Sequence, residues 1–168
     1  MTYAVTFYSV VLFFHILAVV LAFGPTYAYG VFAATAERMD PRAVPVVAAG
    51  ILVWNRVTQG LLLVILLAGI YLVATDSGLG SAWEFGDFFV AWGFIAVIFT
   101  GAMGGAYFQP KTEQLKTLAE RDIAAAGDGP VTLGADFQAL SGQIAKAGMF
   151  TGLVVALTIY VMTAKPFL

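Results

Sequence analysis

Cysteine is absent from the 168 residues and histidine occurs once. The first absence excludes disulfides, thiol redox chemistry, covalent c-type haem and iron–sulfur clusters. The second excludes a multi-histidine metal site within one chain. Charge is scarce as well: Asp, Glu, Lys and Arg together make up 11% of the residues, against about 25% in an ordinary soluble domain. With a net charge of −2 and no basic cluster, nothing points to nucleic acid. The segment Met1-Thr2-Tyr3-Ala4 lacks the positive stretch of a signal peptide, so the apolar run behind it reads as a retained first span.

What the chain has is hydrophobicity: 61% of its residues are apolar, with a mean hydropathy of +0.91. From Val5 to Ala36 there is no Lys, Arg, Asp or Glu. About 20 residues at a rise of about 1.5 Å cross a hydrocarbon core of about 30 Å, so this run is more than one crossing needs. It must tilt, kink or protrude, and Gly24-Pro25 is the natural kink, because proline removes a donor and crowds the carbonyl four residues back.

Three further apolar runs follow, with spans expected over about 5–36, 45–75, 88–108 and 137–164. Pro41 and Pro45 mark the first turn, and a Gly- and Ser-containing loop from Asp76 to Asp87 the second, with Trp83 placed for an interfacial aromatic belt. Gln109-Pro110 closes the third span, after which Lys111 to Ala126 reads as a short polar helix with Leu115, Leu118 and Ile123 on one side. Gly127-Asp128-Gly129-Pro130 breaks that helix, and Asp136 is a candidate N-cap for the fourth. The fold expected is therefore all-α: a polytopic membrane four-helix bundle forming a single transmembrane domain over 1–168.

Seven of the eight basic residues, Arg38, Arg42, Arg56, Lys111, Lys116, Arg121 and Lys146, fall on the side of the first and third connections. The positive-inside rule makes that side cytoplasmic, puts both termini on the extracytoplasmic side and suits a multi-pass protein of the cytoplasmic (inner) membrane. Lipid is the obligatory partner. Small residues mark close helix contacts in lipid. Gly101 and Gly105 on the third span, with Gly148, Gly152 and Ala156 on the fourth, thus predict a third–fourth helix seam or a homodimer.

His15 lies about 11 residues into the first span, near the bilayer midplane, where an ionisable group faces the bundle interior and is a candidate functional site. Tyr8, Val11, Leu12, Ala18, Val19 and Ala22 share its face, which continues to Thr26 and Tyr29. Ala18 and Ala22 leave a shallow groove. Either a porphyrin lies there with an imidazole nitrogen on its iron, or the neighbouring helix fills the groove and His15 bonds a Thr, Tyr or Gln across the interface. A second polar cluster, Asn55, Arg56, Thr58 and Gln59, sits at the boundary of the second span. Arg56 there either holds an anionic group such as a propionate or lipid phosphate, or anchors its helix in the interface. Thr100, Thr151 and Thr158 are expected to bond their own helices, and Met103, Met149 and Met162 to pack. No Asp, Glu, Lys or Arg is expected at the midplane, which argues against an ion-coupled pump.

Short hydrophobic motifs carry a resemblance that spans nearly the whole chain. They are Phe14-His15-Ile16-Leu17 with Phe23-Gly24, Asn55-Arg56-Val57 leading to Ala68-Gly69-Ile70-Tyr71-Leu72, Pro110, and Tyr160 to Phe167. The pattern resembles an uncharacterised family of small four-helix integral membrane proteins and, more distantly, the oxygen-independent, haem-b-containing bacterial protoporphyrinogen oxidases. The likeness to the oxidases implies haem b, with His15 as its ligand and metal-binding residue. The sequence departs from them after Gly24, reading Pro25-Thr26-Tyr27-Ala28-Tyr29-Gly30 where the oxidases continue with a basic, histidine-containing segment. The functions left open are a haem-associated or redox protein using His15, with Ala18, Ala22 and Arg56 around the cofactor, a non-enzymatic accessory subunit of a larger membrane complex, and a small solute transporter.

Overall fold

The structure is a computed structural model that describes residues 6–75 and 84–166; Trp83 and most of the second connection lie outside that range. All regular secondary structure among the described residues is helical, and it forms four rods. The first is α1 (Phe7–Phe23) followed by α2 (Thr26–Met39), the second α3 (Val44–Ala74). The third runs from α4 (Phe88–Ala102) through a π-helical segment (Met103–Phe108) into α5 (Gln109–Ala126), and the fourth is α6 (Ala135–Ala164). Each rod is long and apolar enough to cross a membrane. Successive rods are antiparallel, so both described chain ends lie at one end of the bundle. There the Phe7 and Tyr71 rings meet edge to face at 5.4 Å, and Phe89, Val90 and Val161 form a core.

The rods are 30 to 39 residues long, whereas a crossing needs about 20. Counting about 20 residues from the terminal end brings all four rods to polar or helix-breaking residues at one depth: Pro25, Asn55-Arg56, Gln109-Pro110 and Lys146. Beyond that depth the rods continue as a cap with its own core, in which Ala36, Val44, Ala119 and Leu133 surround Phe137, only 2% exposed. The seven basic residues lie on this side.

Two features tie the cap together. At the first turn, the Asp40 carboxylate accepts from the Arg42 backbone amide. The Arg42 guanidinium reaches across to donate to the carbonyls of Gly127 (2.6 Å) and Gly129 (3.0 Å), so a cation caps the carboxyl end of α5. Gly127 has φ +56°, a conformation that favours glycine. At the start of α6, Asp136 is not the N-cap. Gly134 holds that position, and its amide donates to the Asp122 carboxylate of α5 at 2.8 Å, while Asp136 stands 3.6 Å from Arg121. A carboxylate from α5 thus takes the amide of the N-cap residue itself.

The Gly134 amide, and then the Arg121 guanidinium, hold the Asp122 carboxyl below the usual carboxylate range. A depressed carboxylate stabilises the fold fully above its unfolded pKa, near 4, and the contribution fades as pH falls through the folded value. Asp122→Asn should therefore lower the melting temperature at neutral pH. In melts repeated at decreasing pH, the gap to wild type should close below about pH 4.

The third rod does not end at Gln109-Pro110 as expected but passes through it. The π segment immediately before supplies the reason: its wider turn leaves room for the ring of Pro110, which in a regular α-helix would strike the carbonyl four residues back.

Candidate functional site

His15 projects from α1 toward α3, about eight residues below the terminal end and so close to the middle of the crossing. Its Nδ1 lies 3.1 Å from the carbonyl oxygen of Ile65. A carbonyl only accepts, so Nδ1 carries the proton and Nε2 the lone pair. The contact depends on Gly69. A Cβ at that position would already touch the imidazole, 3.5 Å from Cε1, and a bulkier side chain would push the ring off the carbonyl.

Ala18 and Ala22 are buried in one cluster with Leu62 and Ile65. The groove that the two alanines leave therefore receives the neighbouring helix, and the cross-interface bond of His15 goes to a main-chain carbonyl. Thr58 of α3 adds a second such bond, its hydroxyl 3.4 Å from the Ala22 carbonyl.

Arg56 is exposed and nine residues from Ile65. At about 100° per residue that places it on the opposite face of α3 from the one receiving His15. The structure brings His15, Ala18 and Ala22 to one interface and leaves Arg56 away from it. Tested against haem b, this set supplies one axial nitrogen, Nε2, and neither a seat for a porphyrin beside the alanines nor a cation for its propionates. Among the described residues there is also no group of three or more His, Asp or Glu side chains placed to hold a metal ion.

A second constellation joins the other two expected polar residues to the π segment. Asn55 donates to the Gly104 carbonyl (3.0 Å) and to Gln109 Oε1 (2.7 Å), and Gln59 donates to the Gly101 carbonyl (3.3 Å). A π turn displaces backbone carbonyls from regular α-helical bonding, and the two amides of α3 cover them. This corrects the expected seam. Gly101 and Gly104 face the second rod rather than the fourth, and Gly105 faces open space. On the fourth rod, Gly148 is likewise open, and Gly152 meets Tyr27 of the first rod, whose hydroxyl donates to the Gly152 carbonyl at 3.0 Å. The third and fourth rods meet instead where Gly93 admits the Met162 side chain and where Trp92 Nε1 donates to Thr158 at 3.0 Å.

Thr100 and Thr158 bond back to their own helices, as expected, at 2.7 and 2.8 Å. Thr151 does not: its hydroxyl is buried without a partner, as are the Tyr29 hydroxyl and Trp54 Nε1. Of the methionines, Met162 packs against Gly93 while Met149 is exposed.

Replacing His15 by alanine removes the bond to Ile65 and opens a void over Gly69. The expected cost is about 1–2 kcal/mol, since interhelical hydrogen bonds in membranes average about 0.6 kcal/mol and the void adds to that. His15→Gln, which keeps a donor, should recover part of it in the same unfolding titration. The chain matches no family model, no curated protein and no solved structure.

Proposed function

We propose that this chain is a non-enzymatic structural subunit of a membrane assembly, with its basic end in the cytoplasm and its termini outside the cytoplasmic membrane. The observation that carries the reading is where the polar groups of the crossings go. His15, Tyr27, Asn55, Thr58 and Gln59 each donate to the main chain of another rod, and Trp92 donates to the hydroxyl of Thr158. These six side chains, of the kinds a reaction or a solute path would use, are occupied in holding helices together. His15 acts here as an interhelical pin.

Purification in mild detergent followed by native electrophoresis should give a band larger than the chain and its micelle, with companion proteins identifiable by mass spectrometry. A freely monomeric chain without companions overturns the reading. An absorption spectrum of the same sample separates it from the haem alternative. No Soret band is expected, and a band abolished by His15→Ala would replace the structural role of His15 with ligation through Nε2.

A further inference from the structure

Two clefts lie between the third and fourth rods. One, of about 310 Å³, is in the cap, between α5 and α6, and is lined by Lys111, Gln114, Leu118, Asp136 and Gln143 among others. The other, of about 200 Å³, lies within the crossing, between α4 and α6, and every residue lining it is apolar or aromatic, including Ala96, Phe99, Phe150 and Val154.

The two clefts share one face. On α6, Asp136, Gln143 and Phe150 are spaced by seven, a repeat that drifts only about 20° on a straight helix. On the third rod, Phe99 and Lys111 are twelve residues apart, which would set them about 120° apart on an unbroken α-helix. The π segment lies between them. Its extra residue takes off about 100°, leaving the two within about 20° of one another. The π turn thus brings the polar and the apolar cleft into line.

Depth fixes what fits there. Lys111 directly follows Gln109-Pro110, where the third rod leaves the hydrocarbon, and Lys146 marks the same boundary on the fourth. The headgroup layer occupies about 5–7 Å on each side of the core. The inner end of the cap cleft therefore opens among headgroups, and the lower groove among acyl chains. Neither lysine makes an ion pair among the described residues. Lys146 lies on the same face of α6, between Gln143 and Phe150. The one carboxylate lining the cap cleft, Asp136, is at its far, aqueous end and 3.6 Å from Arg121.

We infer that this seam binds an anionic phospholipid of the basic-side leaflet, its phosphate at Lys111 and Lys146, its polar head along Gln114 and Gln143, and one chain in the groove beside Phe99 and Phe150. The inference does not depend on the structural role proposed above.

The test uses the full chain in detergent micelles, titrated with phosphatidylglycerol, with phosphatidylcholine of the same chains, or with glycerol phosphate, and followed by thermal melting. Phosphatidylglycerol should raise the melting temperature in a saturable manner, phosphatidylcholine much less, and glycerol phosphate not at all. K111Q, at the rim of the cleft, should weaken the phosphatidylglycerol response about fivefold, the factor associated with one basic residue at an anionic surface. V154F, which fills the groove, should weaken the response to both lipids. Equal responses to the two lipids, a glycerol phosphate response equal to that of the lipid, or an unchanged K111Q titration overturns the inference. So does a native mass spectrum in which the mass retained by wild type and lost by K111Q is a polypeptide.

Discussion

Gly24→Ala should destabilise the bundle by about 2–3 kcal/mol, the upper part of the range for overpacking a site that cannot relax. A Cβ at Gly24 would lie 2.7 Å from the Val20 carbonyl oxygen, and that atom is main chain inside α1, already accepting from the Gly24 amide at 2.9 Å. Moving it disturbs the helix itself. The joint between α1 and α2 would open, and Tyr27, three residues on, would be carried away from the Gly152 carbonyl. Equilibrium unfolding in mixed micelles measures the loss, with Gly30→Ala as the control, because a Cβ there meets nothing within 4 Å. A Gly24→Ala protein as stable as the control would show that the joint is not the constraint described.

Gly104→Ala comes next, at about 2 kcal/mol. The new methyl would overlap the Gln59 amide nitrogen and sit 3.1 Å from Asn55 Oδ1. Gln59 can swing aside, so the steric part stays near the lower end of the range of about 1–3 kcal/mol for overpacking. In swinging, however, it abandons the Gly101 carbonyl, and Asn55 is pressed away from Gly104 and Gln109. Each such bond adds about 0.6 kcal/mol. Gly93→Ala makes the useful contrast. It meets the terminal methyl of Met162, which is flexible and belongs to no hydrogen bond, so its cost should stay below about 1 kcal/mol. If the two variants unfold alike in the same titration, the amides are not what holds the second rod to the third.

These sites also show what the residues alone disclose. The four rods were legible because uncharged runs of that length have one physical use. Gly24-Pro25 announced the first joint, and the depth of His15 followed from counting. Partner identity did not follow, because a small-residue motif states that something packs closely and not which helix does so. The GxxxG of Gly101 and Gly105 suits the fourth rod or a second copy equally well, whereas Gly101 meets Leu62 and Gln59 of the second rod. The π turn was hidden for a similar reason. Gly101 and Gly105 upstream of Pro110 read as a packing motif ahead of a helix stop, whereas the chain widens for one turn and continues. Arg56 suits a cofactor at His15 chemically, but on α3 it lies on the face opposite Ile65, the residue that receives His15. Asp122 carries no signal in the sequence, since its partner, the Gly134 amide, becomes a donor in need of an acceptor only where α6 begins.

Arg42 belongs to the first pair of rods and both of its acceptors, the carbonyls of Gly127 and Gly129, belong to the second pair. Such a clasp cannot close while half the protein is still being made. Insertion into the bilayer can accordingly proceed one antiparallel hairpin at a time, with this guanidinium fastened only once the chain has passed its third rod.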